Sequence, residues 1–154
     1  MTPVPAHVTV TNESGVACDE AALARLAGHL LGRLRLHPDC ELGITLVDLD
    51  RMATLHEDWM NEPGPTDVLS FPIDELRPAP EHVEPVPGIL GDIVLCPAYL
   101  PAQAAAAGRS LDGELQFLTT HGTLHLIGHD HQSPEEHEAM SALQDALLAG
   151  WHRA

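Results

Sequence analysis

The chain has 154 residues, 44% of them hydrophobic, enough to bury one core, and 1–154 is expected to form a single domain. Its 23 acidic residues outnumber seven basic ones, all arginine, and the formal charge of −16 excludes a diffuse basic coat for nucleic acid. A local arginine-lined groove is not excluded, because the field in a cleft follows the nearest few charges and any bound cation.

Residues 7–12, HVTVTN, alternate polar and β-branched side chains, which predicts a first strand closed at Ser14-Gly15. The N-terminal stretch MTPVPAHVTVTNESG has neither the basic start nor the apolar core of a secretory signal. Nowhere does an apolar run reach the roughly 18 residues that span a bilayer. A cytoplasmic location with no membrane partner is therefore expected. Cys18, Cys40 and Cys96 are scattered with no C-x-x-C pair, which fits reduced thiols rather than a disulfide frame. Asp19 is an N-cap for a helix whose Leu23, Leu26, Ala27, Leu30, Leu31 and Leu34 form one apolar stripe. That helix should end at Leu36, since His37 precedes Pro38.

Residues 41–49, ELGITLVDL, read as a second strand buried on at least one face, and 50–60 as a short helix stopped by Pro63-Gly64-Pro65. Residues 67–71 form a short strand ended by Pro72. Pro78, Pro80, Pro85 and Pro87, with Glu81 and Glu84 among them, mark 77–88 as a solvated loop. The run ILGDIVL at 89–95 resumes as a buried strand. Two or three helices close the chain: a short Ala-rich one near 98–107, one from Ser110 to about Ile127, and one from Ser133 to about Leu148. Ser133-Pro134-Glu135-Glu136 is a capping box with proline at the first helical position, and Glu136, Met140, Leu143 and Leu147 share one face. The order predicts an α/β layering, a small mixed sheet of about four strands covered by about five helices. Helical connections allow parallel neighbours early in the chain, and the short proline-rich return allows an antiparallel edge strand.

Eleven histidines exceed ordinary usage, and imidazole is the commonest metal ligand. The informative stretch is His121-Gly122-Thr123-Leu124-His125-Leu126-Ile127-Gly128-His129-Asp130-His131. Residues four apart share a helix face, so His121 and His125 can present imidazoles to one point. Gly128 can take the left-handed conformation that ends a helix and turn the chain so that His131 returns to that point. Three imidazoles with a vacant position are the donor set of a catalytic metal site. The spacing matches the metzincin pattern H-E-x-x-H-x-x-G-x-x-H except that Gly122 stands where the general-base Glu belongs, which argues against ordinary metallopeptidase chemistry. Asp130 is either a carboxylate that orients a ligand histidine or moves protons, or a turn residue. His129 is a solvated loop histidine or a second group titrating near substrate. Glu114 shares the face but sits roughly 10 Å from His121 along the axis, so it should satisfy a neighbouring polar group. His137 should be a surface residue.

At these residues the chain resembles the YbeY family, bacterial endoribonucleases and ribosomal-RNA maturation factors with H-G-x-L-H-L-x-G-[YH]-D-H near the C-terminus. Pro65-Thr66-Asp67-Val68-Leu69-Ser70-Phe71-Pro72 and Leu90-Gly91-Asp92-Ile93 match the family's two other segments in order. The resemblance implies one Zn(2+) on His121, His125 and His131 with water at the open position; in metal-assisted phosphodiester cleavage Asp130 or His129 would then move protons. It implies a single-stranded RNA substrate and a role in small-subunit (16S) rRNA 3′-end maturation and ribosome quality control, with the small subunit or its proteins as partners. One departure stands out: the family's arginine before the P-T-D segment is here Met60. Arg51, Arg77 and Arg109 are the substitutes on offer, each in or beside a loop where a solvated arginine is the ordinary outcome. Trp59 either stacks a base or, the commoner case, packs against the core. Thr66, Asp67 and Ser70 either line a substrate groove or cap a turn.

Two rival readings follow from the same residues. An acidic assembly factor with a structural metal could dock on basic ribosomal proteins, and a peptidase-like hydrolase rests on the metzincin spacing alone. The −16 charge favours a monomer.

Overall fold

Alternation along the strands decides which face of the sheet is buried. Val8 and Val10 of β1 (Val8–Asn12), Leu42, Ile44 and Leu46 of β2 (Glu41–Leu46), and Leu90, Ile93 and Leu95 of β4 (Ile89–Leu95) all point into one large apolar cluster. The structure, a computed structural model, describes residues 7–153. Residues 1–6, which open the stretch examined for a secretory signal, and Ala154 lie outside the described residues. The sheet order is β1-β2-β4-β3, with β1, β2 and β4 parallel and β3 (Val68–Pro72) antiparallel to β4 at the edge. The proline-rich return over 73–88 forms no crossover helix, and β3 takes the antiparallel edge place that the sequence allows. β4 carries an extra residue, Leu90, opposite the β2 step from Glu41 to Leu42.

Helices α1 (Glu20–Arg33), α4 (Leu111–Leu126) and α5 (Pro134–Arg153) cover the apolar face. Leu26, Leu30, Leu115 and Leu124 are fully buried there, each stabilising the fold by about 1.5–3 kcal/mol. The opposite face carries Thr9, Thr11, Gly43, Thr45 and Asp92, and α2 (Leu49–Met60) lies towards only part of it. Under α2 a second cluster joins Val47, Met52, Leu69, Val94 and Cys96. A parallel sheet is ordinarily covered on both faces, so this exposed half is an open groove. No helix among the described residues is long and apolar enough to cross a membrane. Cys40 and Cys96 are buried, Cys18 is half-buried, all three are free thiols, and burial pushes each up in pKa.

Several boundaries differ from the sequence expectation, each for a local reason. Asp19 caps α1 by accepting the Ala22 N–H, but the helix ends at Arg33, before Leu36. Arg35 turns left-handed at φ 56° and the Leu36 N–H reaches back to the Leu31 carbonyl, which buries both Leu34 and Leu36. β2 stops at Leu46 because Asp48 leaves the strand to cap α2, accepting the Arg51 N–H at 2.8 Å. The single helix expected over 98–107 is a 3-10 turn, Pro97–Tyr99, followed by α3 (Pro101–Ala106), since Pro101 starts a new helix. α5 runs beyond Leu148 to Arg153, where Trp151 packs on His29 of α1 with ring centres 5.5 Å apart.

Candidate metal centre

Helix α4 is built to hold its two histidines at a fixed depth. Ser110 caps its start by accepting the Gly113 N–H, and Leu115, Leu118 and Leu124 anchor its apolar face, leaving His121 and His125 half-buried. At the other end the His129 N–H bonds the Leu124 carbonyl at 3.0 Å and the Gly128 N–H bonds the His125 carbonyl at 3.1 Å. This is the paired bonding of a Schellman turn, and Gly128 supplies its left-handed residue at φ 98°. The turn returns His131 to the histidine pair as the spacing predicts. The Nε2 atoms of His121 and His125 lie 3.0 Å apart, and the three imidazoles offer one nitrogen each within 4.8 Å of one another. Two nitrogens each about 2.0–2.1 Å from a single ion lie roughly 3.3 Å apart at a tetrahedral angle, close to the His121–His125 pair, so the donor set fits a bound metal once His131 draws in slightly.

The ring nitrogen of His121 turned away from this point is also engaged. His121 Nδ1 meets Gln144 Oε1 at 3.3 Å, and Gln144 Nε2 donates to the Phe117 carbonyl at 3.2 Å. Because Oε1 can only accept, His121 carries its proton on Nδ1 and leaves the Nε2 lone pair for a cation. Burial lowers the pKa of His121, against an upward pull from Gln144 and Asp67. Burial also lowers that of His125, helped by His121 and His131, against an upward pull from the His129 backbone and Asp130. Both effects favour neutral imidazole, the metal-binding form. The Asp130 carboxylate accepts the N–H of His131 at 2.7 Å, so it shapes the turn that carries the third histidine. His129 closes the Schellman turn through its backbone, and its half-buried ring makes no hydrogen bond among the described residues. His137 is exposed as expected, with its ring 6.4 Å from that of His131.

The absent metzincin glutamate has a packing reason. A Cβ at Gly122 would sit 3.0 Å from Ser70 Oγ and 3.1 Å from Ile93 Cγ2, so even a methyl group there would push on the sheet, and a longer side chain would push further. Ser70 Oγ donates to the Gly122 carbonyl at 3.2 Å, pinning β3 to the histidine helix. Asp67 accepts the Val68 N–H on Oδ1 and Gln103 Nε2 on Oδ2, and Gln103 also donates to Glu114. Thr66 donates to Asp67, which is turn capping. Glu114, 1% exposed, pairs with Arg109 at 3.0 Å, and Arg109 stacks on Phe117. Glu114 thus satisfies polar neighbours as predicted, and Arg109 is spent on that buried acid rather than available to a phosphate.

The triad opens into a cleft of about 430 Å³ lined also by Met60, Asp67, Ser70 and Pro72. Beside it runs a groove of about 990 Å³ over the uncovered sheet face, and Met60, Ser70 and Pro72 line both. Among the described residues no arginine lines the cleft. Arg51 lines the groove, while Arg77 lies over Gly128 at the end of α4. The expectation that Trp59 packs into the core is overturned: it is 67% exposed, touching Phe71 edge-on at 5.8 Å. Its position at the last turn of α2 places it past the edge of the small cluster that α2 buries. Gln144 and Gln103 were not singled out in the sequence. Gln144 had a visible signal, a polar residue between Met140 and Leu147 on the apolar side of its helix, whereas Gln103 lay in an unremarkable Ala-rich run.

A family model described as Endoribonuclease YbeY matches residues 9–152. A protein named Endoribonuclease YbeY from Thermobifida fusca is 56% identical over 147 residues, covering 96% of this chain and 95% of that protein. One of the same name from Acidothermus cellulolyticus is 54% identical over 148 residues, covering 94% and 90%. Among solved structures, the solution structure of TM1509 from Thermotoga maritima superposes with a TM-score of 0.59 at 23% identity, covering 95% of this chain and 92% of that one. That last likeness concerns the fold.

Proposed function

The chain belongs to the YbeY family, and from that premise we propose that it is a zinc-dependent, single-strand-specific endoribonuclease acting in 16S rRNA 3′-end maturation and ribosome quality control in the cytoplasm. The observation that carries the enzymatic part is the convergence of His121, His125 and His131 on one point at the wall of an open cleft. Those three residues would hold the ion. Its chemistry at such a site is Lewis-acid polarisation of a phosphoryl oxygen and acidification of water.

The protein's own groups do the rest. Gln144 holds the His121 ring in place through Nδ1. Asp130, anchored on the His131 N–H, and His129 beside it are the groups assigned to proton movement. Gly122 lets α4 approach β3, so Asp67, Val68, Leu69 and Ser70 form the cleft wall facing the triad. With Met60 at the family arginine's position and Arg109 paired to Glu114, positive charge for the scissile phosphate is left to the cation site itself. The −16 charge supports a monomer that engages basic proteins of the small subunit.

The reading is tested by product ends as well as by cleavage. Purified protein incubated with single-stranded RNA should cut it internally, and duplex RNA of the same sequence should survive. A 2′,3′-cyclic phosphate assigns attack to the RNA 2′-hydroxyl, and a 5′-monophosphate with a free 3′-hydroxyl assigns it to water. Proteolysis dependent on the histidines, with RNA untouched, would overturn the assignment.

A further inference from the structure

We propose that Trp59 is a stacking platform for one base of the RNA strand beside the cleft; the RNA comes from the nuclease reading, on which this inference rests. The chain has only five Phe, Trp and Tyr residues, and two of them, Trp59 and Phe71, meet on the groove wall, next in sequence to Met60, Ser70 and Pro72, which line both hollows. Phe71 is partly buried against the small cluster and meets the indole in a T-shaped contact, while two-thirds of Trp59 faces solvent. The residue sits on a fixed support. Asn61 turns left-handed after α2, its N–H bonds the Glu57 carbonyl, and His56 Nδ1 bonds the Gly64 oxygen at 2.8 Å. An exposed aromatic on a braced turn loses little entropy when a ligand stacks on it, and every base offers a π-face.

Continuity and charge place a base rather than backbone phosphates at this point. Met60, Ser70 and Pro72 line both hollows, so a strand whose phosphodiester lies at the triad passes Met60 and reaches Trp59 next. Arg51 lies two helical turns before Trp59, roughly 12 Å along α2. It lines the same groove and makes no ion pair among the described residues, so it can meet the strand's backbone at the rim. The rest of the groove wall carries Glu13, Asp48 and Asp92, which repel phosphates and keep the backbone off its floor. The site therefore takes one base rather than a long strand.

The test uses the full chain and a short single-stranded RNA carrying 2-aminopurine. Its fluorescence is followed against the unaltered protein, Trp59→Ala and Trp59→Phe, and KM and kcat are measured on the same RNA. Stacking predicts quenching that Trp59→Ala abolishes and Trp59→Phe largely restores, with KM raised about 5- to 150-fold in Trp59→Ala and kcat within about twofold. Unchanged KM and quenching in Trp59→Ala overturn the platform while the nuclease reading stands. Trp59-dependent quenching without cleavage by the unaltered protein keeps the platform and removes the nuclease reading. Neither quenching nor cleavage removes both.

Discussion

Gln144 tests whether the centre is organised from outside the histidine motif. Its side chain is 4% exposed, accepts from His121 Nδ1 and donates to the Phe117 carbonyl. Replacing it with Ala removes both bonds, at about 0.5–1.5 kcal/mol each, for a total of about 1–3 kcal/mol. For a chain of this size that lowers Tm by about 3–10 °C. The more telling effect is on the metal: freeing the second nitrogen of a ligand histidine costs about 10- to 100-fold in affinity. Gln144→Glu keeps an acceptor for Nδ1–H and should hold zinc far better than Gln144→Ala. The assay is competition with a chromophoric chelator at fixed pH, beside a thermal melt. If Gln144→Ala binds zinc as tightly as the unaltered protein, helix α4 alone orients His121 and the reasoning about Gln144 is refuted.

Gly128→Ala places a side chain at φ 98°, costing about 1–2 kcal/mol, and drives its Cβ to 2.9–3.1 Å from the Arg77 guanidinium. Metal content by mass spectrometry should fall because His131 no longer returns to the pair; full stoichiometry would contradict this. Gly122→Glu, which restores the metzincin spacing in sequence, should yield less folded protein and no peptidase activity, because Ser70 and Ile93 occupy the space. A stable, proteolytic variant would show that packing is not the reason for the glycine. For pH, burial depresses His121 and His125 in the folded state, so below the usual imidazole value of about 6.5 the unfolded chain takes up protons first. The metal-free protein should then be most stable above that value and lose stability as pH falls through the folded-state range. His29, lowered by burial and then by Arg33, adds in the same direction. A metal-free Tm that rises from about pH 7 to about pH 5.5 would reverse the sign of this argument.

The layered fold was readable because period-two and period-3.6 patterns are local: Leu42, Ile44 and Leu46 alternate, and Leu23 to Leu34 form a stripe. The triad was readable for the same reason, since helix spacing and one helix-ending glycine suffice to bring His121, His125 and His131 together. What stayed hidden depends on tertiary distance. Gln144 reaches His121 from a different helix, and Gln103 of α3 bridges Asp67, in the loop before β3, to Glu114 of α4. The extent of sheet left open by α2 is likewise set by packing, which is why Trp59 was assigned to the core and lies on the surface. Pro101 was in plain view, yet the Ala-rich run after it masked the break between the 3-10 turn and α3.

The central claim is that the three imidazoles form the metal site of an RNA-cleaving enzyme. Its most direct test is cleavage of single-stranded RNA by highly purified protein beside His125→Ala, with the zinc content of both determined and folding checked by circular dichroism. The account predicts that the unaltered protein carries about one zinc and cuts, as expected of a single catalytic site, whereas folded His125→Ala does neither. Equal cleavage by a zinc-free His125→Ala variant, or a zinc-loaded unaltered protein that leaves RNA intact, would contradict it.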